Sequence, residues 1–158
     1  MGGGSPDGER AGLVRRASAL VRLSRDHHES LVAAQRLRRA TRATSQEVRE
    51  AFLAHWSRCE SRHFRAEEEV LLPAFAGWCD PYEELIARTL CDHVAIRARV
   101  AWLRADELAP PAALHELGSR IAAHVRMEER ELFPLIEQTM PELELAELAD
   151  ALEHAESS

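Results

Sequence analysis

The sequence predicts an all-α protein: an up-and-down four-helix bundle with a short extra helix at its C-terminus. Three observations carry that expectation. The chain is rich in Ala, Leu, Glu and Arg, with one Tyr in 158 residues and few β-branched side chains, a composition that favours helix almost everywhere. Apolar residues recur at helical spacing through four long stretches separated by breaks. The chain also repeats itself, since His63 to Pro73 reads HFRAEEEVLLP and His124 to Pro134 reads HVRMEERELFP. Two helix pairs of like design make four antiparallel helices.

The elements follow in order. Residues 1–12, rich in Gly and polar groups, bury too little apolar surface to offset ordering entropy and read as a tail. Residues 13–137 form the bundle. Its first helix spans about Leu13 to Thr41, with Leu20, Leu23, Leu31, Ala34 and Leu37 on one face and arginines opposite. Thr44 and Glu47 make a capping box for the second, which runs through Phe52, Trp56, His63 and Glu67 to about Leu72, where Pro73 disturbs or ends it. Asp80-Pro81 reads as the start of the third helix, with Glu83 and Glu84 favoured by the helix dipole; it ends near Leu108. After Pro110 and Pro111 the fourth runs from about Ala112 to Phe133 or slightly past Pro134. Residues 138–158 hold a short fifth helix starting at Pro141, whose Leu143, Leu145, Leu148 and Leu152 form a stripe suited to docking on the bundle.

The bulk numbers exclude several function classes. A formal charge of -7 and a pI near 5.6 disfavour nucleic acid and polybasic membrane binding. No apolar run approaches the roughly 18 residues needed to span a bilayer, and the start MGGGSPDGER lacks the apolar core of a signal peptide, so a cytoplasmic location is expected. Cys59, Cys79 and Cys91 lack CxxC spacing and read as free thiols.

The chemistry lies in the repeat. Residues four apart on an α-helix stand one above the other, so His63 with Glu67, and His124 with Glu128, each aim an imidazole and a carboxylate at one point. Upstream of each copy lies an Asp-His pair, Asp26-His27 and Asp92-His93. His27 belongs to the stripe of Leu20, Leu23, Leu31 and Ala34; His93 falls among Leu90, Ile96 and Val100. Four inward histidines and two inward glutamates are costly to bury unless a metal satisfies them. Mixed imidazole and carboxylate ligation suits iron, and to a lesser degree manganese or zinc.

These residues resemble the hemerythrin-like, or HHE cation-binding, proteins over residues 15 to 137, the duplicated HxxxEExxLxP being the specific signal. The resemblance implies two irons, oxo- or hydroxo-bridged, with Glu67 and Glu128 bridging and His27, His63, His93 and His124 as terminal ligands. The chain departs from the oxygen carriers of the family, which place a second histidine one turn after the first on the third helix, where Arg97 stands here. They also space the last carboxylate five residues after its histidine; Glu129 has that offset, but the match between halves favours Glu128. The ligand set is more similar to that of the repair-of-iron-centres proteins.

Other residues read more plainly. Glu68, Glu69, Glu129 and Glu131 suggest a solvated face paired with Arg65, Arg126 and Arg130. His28 is rotated about 100° from His27, and His55 lies roughly 12 Å along the axis from His63, so neither is a ligand of the pair. Trp56 fills core, Tyr82 is remote, Cys59 could border the pocket, and Asp26 and Asp92 are expected to be exposed.

Two functions lead. One is a di-iron module that binds or senses O2 or NO, or serves iron and redox homeostasis. The other is a di-iron redox enzyme reducing peroxide or nitric oxide with an unidentified redox partner, or an iron donor for cluster repair. A helical interaction domain without metal is the third possibility.

Overall fold

The computed structural model describes residues 15–106 and 108–156; the tail predicted for residues 1–12, and the expected helix start at Leu13, lie outside these. The described residues are helical with no strand. Five helices follow one another. Helix α1 is Ser18–Arg38. Helix α2 is one rod over residues 45–76, in which α-helical stretches Ser45–His55, Ser61–Ala66 and Leu72–Ala76 alternate with π-helical turns Trp56–Glu60 and Glu67–Leu71. Helix α3 is Glu84–Ala105. Helix α4, residues 111–139, joins Pro111–Met127 through a π turn, Glu128–Leu132, to Phe133–Thr139. Helix α5 is Glu142–Glu156.

Several boundaries differ from expectation, each for a local reason. Helix α1 ends at Arg38 rather than Thr41. Thr44 does not cap α2 with its side chain; its Oγ1 accepts from the Thr41 amide at 3.0 Å and closes the interhelical loop instead. Asp80 likewise builds a turn, its Oδ1 accepting from the Tyr82 amide at 2.9 Å, and α3 begins only at Glu84 and ends at Ala105 rather than near Leu108. Pro73 and Pro134 do not end their helices. A proline lacks an N–H and its ring crowds the carbonyl four residues back; the π turn just before each proline widens the coil there, and both helices continue, to Ala76 and Thr139.

The core is in two parts. One cluster gathers Leu20, Leu23, Leu71, Phe75, Phe133 and Ile136 with Leu145, Leu148 and Leu152 of α5, so the fifth helix docks on the bundle with Leu143 left exposed. The other gathers Ala34, Leu37, Phe52, Trp56, Phe64, Ile96, Val100, Leu117 and Ile121. On each of α1 to α4 the residues between these groups are polar and buried: His27, His63 and Glu67, His93, His124 and Glu128. Leu90 was expected beside His93 but is exposed; Thr89 is buried in that stripe instead.

Candidate metal centre

All six sequence-predicted side chains converge between the two apolar clusters. Their ligand atoms fall into two groups, each within 4.8 Å of one another: His27, His63, Glu67 and Glu128 in one, and His93, His124, Glu67 and Glu128 in the other. Each helical pair closes as the spacing of four requires, with His63 Nε2 at 3.1 Å from Glu67 Oε1 and His124 Nε2 at 3.3 Å from Glu128 Oε1. The two carboxylates then divide between the groups. Glu67 turns Oε1 toward His63 and Oε2 toward His93 Nε2, at 3.3 Å. Glu128 turns Oε2 toward His27 Nε2, at 3.0 Å, and Oε1 toward His124.

The four oxygens of Glu67 and Glu128 are fully buried and lack hydrogen-bond partners, as does His27 Nε2. A buried carboxylate left bare costs several kcal/mol, so a donor set of this kind fits cations. Before a cation binds, protons serve. Burial alone would lower the His27 pKa, but the carboxylates of Glu128, Glu129 and Glu67 that face its ring outweigh it and push it up to about 12. His63, opposed by burial but facing Glu67 and Asp26, is pushed up to about 10. His124 is raised against burial by Glu128 and Asp92. Burial would raise Glu67, yet the neighbouring His63, His27 and His93 hold it well below the usual carboxylate range.

The outer nitrogens of the histidines also face carboxylates. His27 Nδ1 lies 2.7 Å from Glu129 Oε1 and His93 Nδ1 2.8 Å from Glu68 Oε1. Burial would raise Glu129, but His27, Ser24 and Arg16 bring it down to about 2, so it accepts and the proton stays on Nδ1. His63 Nδ1 and His124 Nδ1 face Asp26 and Asp92 at 3.4 and 3.5 Å. A carboxylate on one ring nitrogen leaves the lone pair of the other for a metal and fixes the ring. Two sequence-based expectations are thereby corrected. Glu68 and Glu129 are not part of a solvated face, and Asp26 and Asp92 are half-buried against histidines of a neighbouring helix rather than exposed. Of the other two glutamates, Glu69 pairs as expected, with Arg65 at 3.3 Å, and Glu131 is exposed as expected but faces Arg88, at 3.9 Å.

Each of these glutamates is held in turn by an arginine. Arg97 Nη2 donates to both oxygens of Glu68 at 3.1 Å, and Arg16 Nη2 donates to Glu129 Oε2 at 2.8 Å. Phe64 stacks on His93 at 3.7 Å between centroids and Phe133 on His27 at 5.2 Å, with Arg97 and Arg16 each 5.5 Å from the phenyl centroids. The spatial repeat therefore extends to groups that do not correspond in sequence.

Among the remaining candidates, His28 is exposed, Trp56 is core and Tyr82 is 91% exposed. Cys59 is exposed and borders a cleft of about 130 Å³, which it shares with Arg22, Asp26, Arg58, Arg62 and His63. No described helix is long and apolar enough to cross a membrane.

Searches of the curated proteins and of the solved structures found no significant match. The family model for the hemerythrin HHE cation binding domain matches residues 19–136, a span that contains all six converging side chains. The match covers most of the chain, and the chain belongs to the hemerythrin HHE cation-binding domain family.

Proposed function

We propose that the chain is a non-haem di-iron protein that binds or senses O2 or NO, or serves iron and redox homeostasis through that centre. The observation that carries the reading is the division of Glu67 and Glu128, each of which offers one oxygen to each histidine pair. A carboxylate so shared suits two ions held side by side. Two imidazole nitrogens and two carboxylate oxygens per position suit iron, with manganese or zinc as substitutes. Four donors fall short of six, so an oxo or hydroxo bridge would leave about one free position per octahedral ion. Arg97 supports this, because its guanidinium is engaged by Glu68 and supplies no ligand.

The protein's own groups prepare the site for a small diatomic. The carboxylates on the outer nitrogens hold the four rings in place, and Phe64 and Phe133 cover the rings of His93 and His27. When bound, iron supplies reversible one-electron chemistry and affinity for O2 and NO.

Protein made with iron available is expected to carry two irons per chain, and azide or NO should change its near-ultraviolet and visible spectrum. Oxygen admitted to the ferrous form should oxidise it. A well-folded sample without metal would overturn the reading, and a stable oxygenated spectrum reversed by deoxygenation would restore oxygen carriage. The second reading, a redox enzyme reducing peroxide or nitric oxide, is favoured by the cleft that leads to His63 between Arg22, Arg58 and Arg62; sustained consumption of either with an electron donor is its test.

A further inference from the structure

Outside the central cluster, another trio of ligand-type side chains converges. Glu29 of α1 and His55 and Cys59 of α2 place their donor atoms within 4.8 Å of one another. His55 closes the first α-helical stretch of α2 and Cys59 lies in the π turn that follows, while Glu29 reaches them from α1. None of the three belongs to either histidine group of the central cluster.

His55 is also held from outside the trio. Its Nε2 lies 3.3 Å from Oε1 of Glu60, a carboxylate 2% exposed. A carboxylate accepts only, so His55 Nε2 is the donor of this contact. A carboxylate on one ring nitrogen is the arrangement that presents the other to a metal, and Glu60 is not among the four carboxylates that face the outer nitrogens of the central histidines.

We propose that Glu29, His55 and Cys59 form a separate mononuclear site for a borderline-soft divalent cation of the zinc class. A thiolate, an imidazole and a carboxylate together select such an ion over the hard cations, and three protein ligands leave a fourth tetrahedral position for water. Zinc bond lengths imply ligand separations of about 3.5 Å, so the exposed Glu29 and Cys59 side chains close in by roughly 1 Å on binding. The Cys59 thiol proton is released to solvent as the metal–sulfur bond forms. Solvent reaches the trio from two sides. Glu29 and His55 line a groove of about 630 Å³ between α1 and the start of α2, and Cys59 lines the smaller cleft that ends at His63. An ion held there ties α1 to α2 beside the entrance to the central cluster.

Cobalt(II) is the probe, because thiolate ligation gives a charge-transfer band that the histidine and carboxylate ligands of the central cluster cannot give. The full chain, iron-loaded and in a parallel sample metal-free, is titrated with cobalt and then zinc, and iron is counted throughout. One equivalent of cobalt giving the thiolate band in the iron-loaded sample, and a band of the same final amplitude in the metal-free sample whatever further cobalt the central cluster takes, each displaced by zinc, is the expected result. Cys59→Ser should abolish the band, Glu29→Gln should weaken cobalt binding ~10-fold or more, and Cys91→Ser, at another exposed thiol, should change neither. Iron content should be the same in all three variants. The absence of the band in the wild-type chain, its survival in Cys59→Ser, or its loss in Cys91→Ser would overturn the proposal. The metal-free sample gives this answer whether or not the central cluster takes iron.

Discussion

Glu67 and Glu128 act on both halves of the cluster at once, since each faces a histidine of either pair. Glu67→Gln is therefore expected to lower iron content from two per chain toward none, whereas His55→Ala should leave iron nearly unchanged, because His55 lies in neither group. Metal analysis after dialysis reads the difference, and equal losses in the two variants would contradict the assignment. Glu68→Gln keeps the shape but weakens the acceptor for His93 Nδ1 and the partner of Arg97; a loss of about 10–100-fold in iron affinity, measured by chelator competition, is expected. The spacing of four made His63, Glu67, His124 and Glu128 legible in the sequence. Asp26 and Asp92 were not, because they serve histidines on a neighbouring helix, His63 and His124. Which helix stands beside which is a matter of packing that no local spacing reports.

At the scale of the element, the π turns explain why Glu68 and Glu129 were misread. On an α-helix the next residue points about 100° away, which would send both to solvent. The widened turns begin at Glu67 and Glu128 themselves, and the enlarged coil lets consecutive glutamates serve the cluster, one inside it and one on an outer nitrogen. A one-residue bulge leaves the apolar pattern nearly unchanged, so periodicity predicts the helix and misses the bulge. The capping box at Thr44 failed for a related reason: its hydroxyl had a closer partner in the loop. Another element-scale feature is the contact of α4 with α1 at Gly118. A Cβ there would lie 2.5 Å from the Ala34 carbonyl oxygen and 2.9 Å from Leu37 Cβ. Gly118→Ala gains up to about 1 kcal/mol in helix propensity but must push two helix backbones apart, at about 1–3 kcal/mol. At mid-range, a cost of about 2 less a gain of about 1 leaves a net destabilisation of ~1 kcal/mol, expected in a denaturant titration; a raised midpoint would show that the helices separate freely.

In the whole molecule a layer of ionisable side chains lies between two apolar clusters, so stability depends on what occupies that layer, protons or metal. In the metal-free chain His27 and His63 are pushed up from about 6.5 to about 12 and about 10. A group raised on folding contributes fully below its unfolded value, and its contribution falls as pH rises toward the folded one. Glu67, held below its ordinary 4.5, has the opposite sense: its contribution is present above that value and is lost as pH falls. The metal-free protein is therefore expected to be most stable in mildly acid solution, between about pH 4.5 and about pH 6.5, and to lose stability through neutral and basic pH. Metal requires the inner nitrogens free of protons, so its apparent affinity rises with pH and it is released in acid. The two trends diverge. The gain in Tm on metal loading should be small near pH 6 and grow steadily toward about pH 8.5, because the metal-free form weakens while the loaded form tightens. Thermal unfolding of matched metal-free and loaded samples across that range provides the measurement. A gain that shrinks as pH rises would mean that protons and metal do not compete for His27 and His63, and that the cation sits elsewhere in the chain.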